Sequence, residues 1–120
     1  MSETMRETAE EFLANESLPG EEAPAQRWLR DRLAALGFET YEWEPDETVL
    51  AAHPSFPPAD ELTLENRPNV AGVLELGDPS EGPTVVLNGH VDVVPVERET
   101  WRGDPFDPRW EGDRLYARGA

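Results

Sequence analysis

The sequence predicts an α/β fold, a partial mixed sheet with flanking helices, on three observations. Two amphipathic helical stretches open the chain. Several strand-like segments follow them. One of those segments, the apolar run Thr84-Val85-Val86-Leu87, ends in Asn88-Gly89-His90-Val91-Asp92. Helices followed by strands bury an apolar stripe of each against an apolar face of the sheet. In such sheets ligands gather beyond the carboxyl ends of strands, where His90 is expected to lie.

The first helix is predicted from about Glu3 to Glu16, with Ser2 as its cap, because Met5, Ala9, Phe12 and Leu13 form one apolar stripe. Leu18-Pro19-Gly20 breaks it. The second helix is predicted over roughly Glu22 to Leu36. Trp28, Leu29, Leu33 and Leu36 share a face, Gly37 provides a left-handed stop, and Glu21 and Glu22 suit the positive end of the helix dipole. Phe38 to Trp43 alternates apolar and polar and reads as a half-exposed strand. Glu44 to Arg67, with Pro45, Pro54, Pro57 and Pro58, reads as a long loop with one helical turn near Asp46 to Leu50. Asn69 to Leu76 reads as a second strand. The turn Gly77 to Pro83 is expected to join it to a buried strand over residues 84–89 as an antiparallel hairpin. Trp110 to Tyr116, with Gly112-Asp113 inside it, reads as a short hairpin or strand.

A chain of 120 residues is one domain or part of one. Its formal charge is -16, and all 10 basic residues are arginine. That balance argues against nucleic acid and anionic membrane surfaces as partners, since both require basic patches. Dense carboxylates without lysine are expected of a salt-adapted (halophilic) surface, where ions screen their mutual repulsion; an ordinary solvated acidic surface is the plainer alternative. With no cysteine, disulfides and thiolate ligands are excluded, and a zinc site here would use His, Asp or Glu. No apolar run approaches the ~20 residues of a membrane span, and the acidic start lacks the features of a secretory signal. A cytoplasmic protein is the resulting expectation.

His90 and Asp92 are the candidate site. In extended chain, alternate residues share a face, so both side chains can project from one side of the strand end. His90 is read as a metal ligand, and Asp92 as a carboxylate that orients it or takes part in the chemistry. An isolated His-x-Asp is more often structural; the glycine and buried strand before it bring the structural and functional readings level. His53 reads as a surface histidine, Trp101 and Phe106 as packing beneath the site, and Glu97 and Glu99 as solvated.

After Gly89-His90-Val91-Asp92-Val93-Val94-Pro95 come, in order, Trp101, Pro105-Phe106, Gly112-Asp113, Leu115-Tyr116 and Arg118-Gly119-Ala120. Together with Asn66-Arg67-Pro68-Asn69-Val70 and Leu18-Pro19-Gly20-Glu21-Glu22, this series resembles the M20 metallopeptidases, in the acetylornithine deacetylase/succinyl-diaminopimelate desuccinylase branch. Two positions depart from its pattern: Ala117 stands where glycine is usual, and Gly112-Asp113 inverts the usual order. The resemblance implies the N-terminal portion, a third or so, of a zinc-peptidase-like catalytic domain, with residues 1–120 incomplete. It implies His90 as the first metal ligand and Asp92 as the acidic residue that orients or polarises the site. It places the bridging aspartate, the glutamate base and the remaining ligands beyond Ala120. In the complete enzyme it implies two zinc ions (or cobalt), hydrolysis of the amide of an N-acyl amino acid or small peptide, and a possible homodimer. The alternatives are a metallophosphoesterase-like enzyme, which also uses His-Asp clusters at strand ends, and a truncated fragment with no catalysis of its own.

Overall fold

A computed structural model describes residues 2–56, 63–78 and 80–120. The chain is α/β, with helices flanking two small antiparallel sheets. Helix α1 spans Glu3–Leu13, and the Ser2 hydroxyl caps it by accepting from the Met5 N–H at 3.3 Å. It ends with the apolar stripe, before the predicted Glu16, and Asn15 Nδ2 donates to the Glu11 and Phe12 carbonyls at 2.9 and 3.0 Å. These bonds give the last carbonyls a side-chain partner in place of another turn of helix. Helix α2 spans Ala23–Ala35, with Pro24 in its first turn and Gly37 left-handed (φ 90°) just past its end.

Strand β1 (Glu39–Trp43) pairs antiparallel with β2 (Asn69–Val73), from Glu39 opposite Val73 to Trp43 opposite Asn69. The short helix α3 (Glu47–Leu50) lies between them and is capped by Asp46, whose carboxylate accepts from the Thr48 and Val49 N–H groups. Strands β3 (Arg109–Glu111) and β4 (Arg114–Tyr116) form the expected hairpin, with Gly112 at φ 63° in its turn. Pro57 and Pro58 of the predicted loop, and Pro79 of the predicted turn, lie outside the described residues.

Helix α2 covers the β1–β2 pair. The packing is tight at Gly72, where an added Cβ would stand 3.1 Å from Phe38 Cδ1 and 3.2 Å from Leu33 Cδ1. A side chain there would require the Phe38 and Leu33 side chains to give by a few tenths of an ångström. Arg27 and Arg30 reach from α2 to Glu42 on β1. Phe12 and Trp28 join the two long helices, with ring centroids 5.6 Å apart. Arg6 ties α1 to the hairpin by lying 4.4 Å over the Trp110 ring and pairing with Asp113 at 3.3 Å.

Two expectations are corrected. The second strand does not form a hairpin with residues 84–89; it stops at Val73 and pairs with β1. Among the described residues, Thr84 to Leu87 joins no ladder, and Val85, Val86 and Leu87 are 77%, 80% and 92% exposed. β-Branched composition favours extended chain, but a strand also needs a neighbour for its backbone groups, and none lies beside this one.

Glu22 and Arg67 join the two halves of the fold. Arg67 donates to the Glu22 carboxylate through Nε at 3.1 Å and Nη2 at 2.5 Å, and the Gly20 N–H lies 3.0 Å from both carboxylate oxygens. The Glu22 side chain is only 6% exposed. Removing one partner of a buried ion pair strands the other charge, at a cost of about 3 kcal/mol or more. Glu22→Gln is therefore expected to lower the unfolding free energy by about 3 kcal/mol in urea titration. A change within experimental error would show that the pair carries no such weight.

Candidate functional site

His90 and Asp92 follow the unpaired apolar run, on backbone that belongs to no helix or sheet. His90 Nδ1 lies 3.0 Å from both Asp92 Oδ1 and the Asp92 carbonyl oxygen. Both neighbours are acceptors, so the ring proton belongs on Nδ1, and the Nε2 lone pair is left free. The imidazole is 82% exposed and the carboxylate 50%. A histidine in this state offers one nitrogen as base or ligand, with its tautomer set by the carboxylate behind it.

The backbone around the pair is held more firmly than its side chains. Ser17, 5% exposed, donates its hydroxyl to the Val91 carbonyl at 2.6 Å, and its own carbonyl accepts the Val93 N–H at 3.0 Å. Gly119 also fits against Val93 so closely that a Cβ would meet Val93 Cγ1 at 3.0 Å. Ser17, His90, Asp92 and Arg118 border one pocket of about 140 Å³. A larger apolar hollow of about 420 Å³, between α1 and the hairpin, includes Phe12 and Trp110 but no histidine, and is read as incomplete packing.

Arg118 sits over Trp101, with its guanidinium carbon 5.3 Å from the ring centroid. Its backbone N–H donates to the carbonyl of fully buried Pro105 at 2.7 Å. Phe106 is buried beside Pro105. The turn they occupy is closed by Asp104, which accepts from the Phe106 N–H and from Arg98 Nη1, both at 3.0 Å. His53 is exposed, and its Nδ1 accepts from the Ser55 N–H at 3.2 Å within its own loop. Glu97 and Glu99 are exposed.

His90 Nε2 suits a metal ion, but the described residues bring together no group of three or more His, Cys, Asp or Glu able to hold one. They fit one ligand and its orienting carboxylate, and do not make up a complete zinc or two-metal site. None of their helices is long and apolar enough to cross a membrane. Sequence reasoning singled out His90 and Asp92 but missed Ser17. A lone serine between a helix end and a Leu-Pro-Gly turn carries no periodicity or motif that marks it.

The chain is similar along its whole length to curated proteins. It is 35% identical over 121 residues, all of the chain, to a succinyl-diaminopimelate desuccinylase of Thioalkalivibrio sulfidiphilus, and these residues are 26% of that protein. It is 37% identical over 112 residues to the desuccinylase of Leptothrix cholodnii, 92% of the chain and 25% of the relative. Over 96 residues it is 34% identical to an N-formyl-4-amino-5-aminomethyl-2-methylpyrimidine deformylase of Bacillus subtilis, 79% of the chain and 18% of the relative. The chain thus spans about a quarter of the length of the desuccinylases it matches. No family model matches it. The desuccinylase similarities support the resemblance to M20 hydrolases drawn from the motifs.

The Phe106 N–H, then the Arg98 charge, hold the Asp104 carboxyl below its ordinary value. A lowered folded-state value means that this turn's contribution is complete above the unfolded carboxylate value and is lost as pH falls through the folded one. The Phe106 amide resonance should therefore stay fixed from neutrality to about pH 4 and shift only at more acid pH. The same shift persisting in Asp104→Asn would assign it to another group.

Proposed function

We propose that this chain is part of an M20-type metal-dependent amide hydrolase that removes an acyl group from the nitrogen of an amino acid or small peptide. The observation that carries the reading is its similarity, over all or most of its length, to proteins named as a desuccinylase and a deformylase, names that both denote acyl removal. The orientation of His90 supports it: Asp92 holds Nδ1, and Nε2 is presented outward.

In this reading His90 supplies one ligand through Nε2, and Asp92 fixes the ring and its tautomer by accepting a hydrogen bond from Nδ1–H. Zinc, as two ions with cobalt as the alternative, would supply a water acidic enough to attack an amide near neutral pH. Arg118, beside the pocket, is shaped by Trp101 and the Pro105 carbonyl, and contributes positive charge to its wall. The other ligands and the general base belong to a larger catalytic domain, of which these residues form the N-terminal portion. The exposed apolar run Val85-Val86-Leu87 supports that view, because an unpaired apolar segment requires a covering partner. The complete enzyme is proposed to be a cytoplasmic protein, free of nucleic acid and membrane, and able to form a homodimer.

The 120-residue chain is expected to bind Zn²⁺ weakly through His90 and to release no amine from N-acetyl or N-succinyl amino acids, because one imidazole gives only a labile site. Calorimetric zinc titration of wild type and His90→Ala, run beside a ninhydrin assay, checks this. Tight His90-dependent binding with turnover would mean that this chain holds a full ligand set. Zinc binding unaffected by His90→Ala would remove His90 from the site.

With 16 carboxylates in excess of arginines, folding is also expected to strengthen with salt. The screening length falls from about 10 Å at 0.1 M to about 3 Å at 1 M. Thermal melts in potassium chloride should show a rising midpoint, and a flat or falling one would speak against a salt-adapted surface.

A further inference from the structure

We infer that Ser17 is a positioning residue for the His90–Asp92 pair; the functional meaning rests on the hydrolase reading, and the substance rests on hydrogen-bond geometry. His90 and Asp92 are largely exposed, so side-chain packing cannot hold them. Their mutual orientation depends on the backbone that joins them, and that backbone has no sheet neighbour. Ser17 supplies what a neighbouring strand would. Val91 and Val93 present their backbone groups along the same edge. The Ser17 hydroxyl takes the Val91 carbonyl at 2.6 Å, and the Ser17 carbonyl takes the Val93 N–H at 3.0 Å.

The two bonds bracket Asp92 and fix the dihedral angles that aim its carboxylate at His90 Nδ1. Gly119 packs against the Val93 side chain. Ser17 is 5% exposed, so little water reaches its hydroxyl to replace either bond. Ser17 touches neither a substrate nor a reacting atom; it acts through the chain segment it grips.

The test reads the His90 tautomer rather than activity. Side-chain ¹⁵N spectra of the full 120-residue chain are recorded at a pH where the imidazole is neutral. Wild type is expected to show Nδ1–H. Ser17→Ala is expected to lower the Nδ1–H to Nε2–H ratio roughly tenfold. Ser17→Thr, which keeps the hydroxyl, should restore it, and Ser17→Cys, with a weaker donor of similar size, should fall between. Asp46→Ala removes a helix cap far along the chain; it should lower the melting midpoint and leave the ratio unchanged.

Equal ratios in wild type and Ser17→Ala overturn the inference, as does a drop in Asp46→Ala as large as in Ser17→Ala. If Ser17→Ala does not fold, Ser17→Cys decides in the same way. Because no catalysis is measured, failure here leaves the hydrolase reading intact. The role of His90 in that reading fails separately, if His90→Ala leaves zinc binding unchanged.

Discussion

The buried pairing of Glu22 with Arg67 is the constraint on which the arrangement of the site depends. Glu22 stands at the entrance to α2, and Arg67 just before β2, 45 residues later. Asn66 takes a left-handed conformation (φ 55°) immediately before it, which asparagine tolerates better than most residues. The carboxylate also holds the Gly20 N–H and so fixes the turn that leaves Ser17. Ser17 grips the backbone on both sides of Asp92. A chain of polar contacts thus leads from a structural ion pair to the orientation of His90. Such groups are held by hydrogen bonds because burial leaves them no water to fall back on.

The acidic surface gives arginine a second task. Arg6, Arg98, Arg109 and Arg118 each lie over an aromatic ring (Trp110, Phe106, Tyr116 and Trp101) at 4.4 to 5.7 Å. A guanidinium can stack on a ring face while its edges donate to carboxylates, which the ammonium of lysine does poorly. Arg6 does both, with Trp110 and Asp113, and so does Arg98, with Phe106, Glu16 and Asp104. A chain with arginine and no lysine uses it to cover aromatic surface as well as to offset charge.

The site combines a rigid frame with open chemistry. His90 Nε2 and the mouth of the pocket face solvent, while Ser17, Pro105 and Phe106 behind them are buried. Well-held backbone beneath an exposed imidazole suits the proposed reading, in which a larger domain completes the site. The exposed run from Val85 to Leu87 points to the same arrangement, since its apolar side chains find no cover among the described residues.

The sequence alone determined the local features. Ser2, Gly37 and the helical stripes set α1 and α2, and the alternation at Phe38 to Trp43 and the Gly112 turn set a strand and a hairpin. These features are governed by residues close in the chain, whose preferences act without distant partners. The proximity of His90 to Asp92 was legible for the same reason, because two residues in extended chain share a face. Strand pairing was decided only in the tertiary structure. Residues 84–87 read as a buried strand from their composition, yet β2 took β1 as its partner and left them unpaired, since a ladder requires a neighbour that composition cannot supply. The grip of Ser17 on Val91 and Val93, across more than seventy residues of sequence, was decided there too. A hydroxyl gains its role from the carbonyl that folding brings to it, and no pattern in the chain names that carbonyl beforehand.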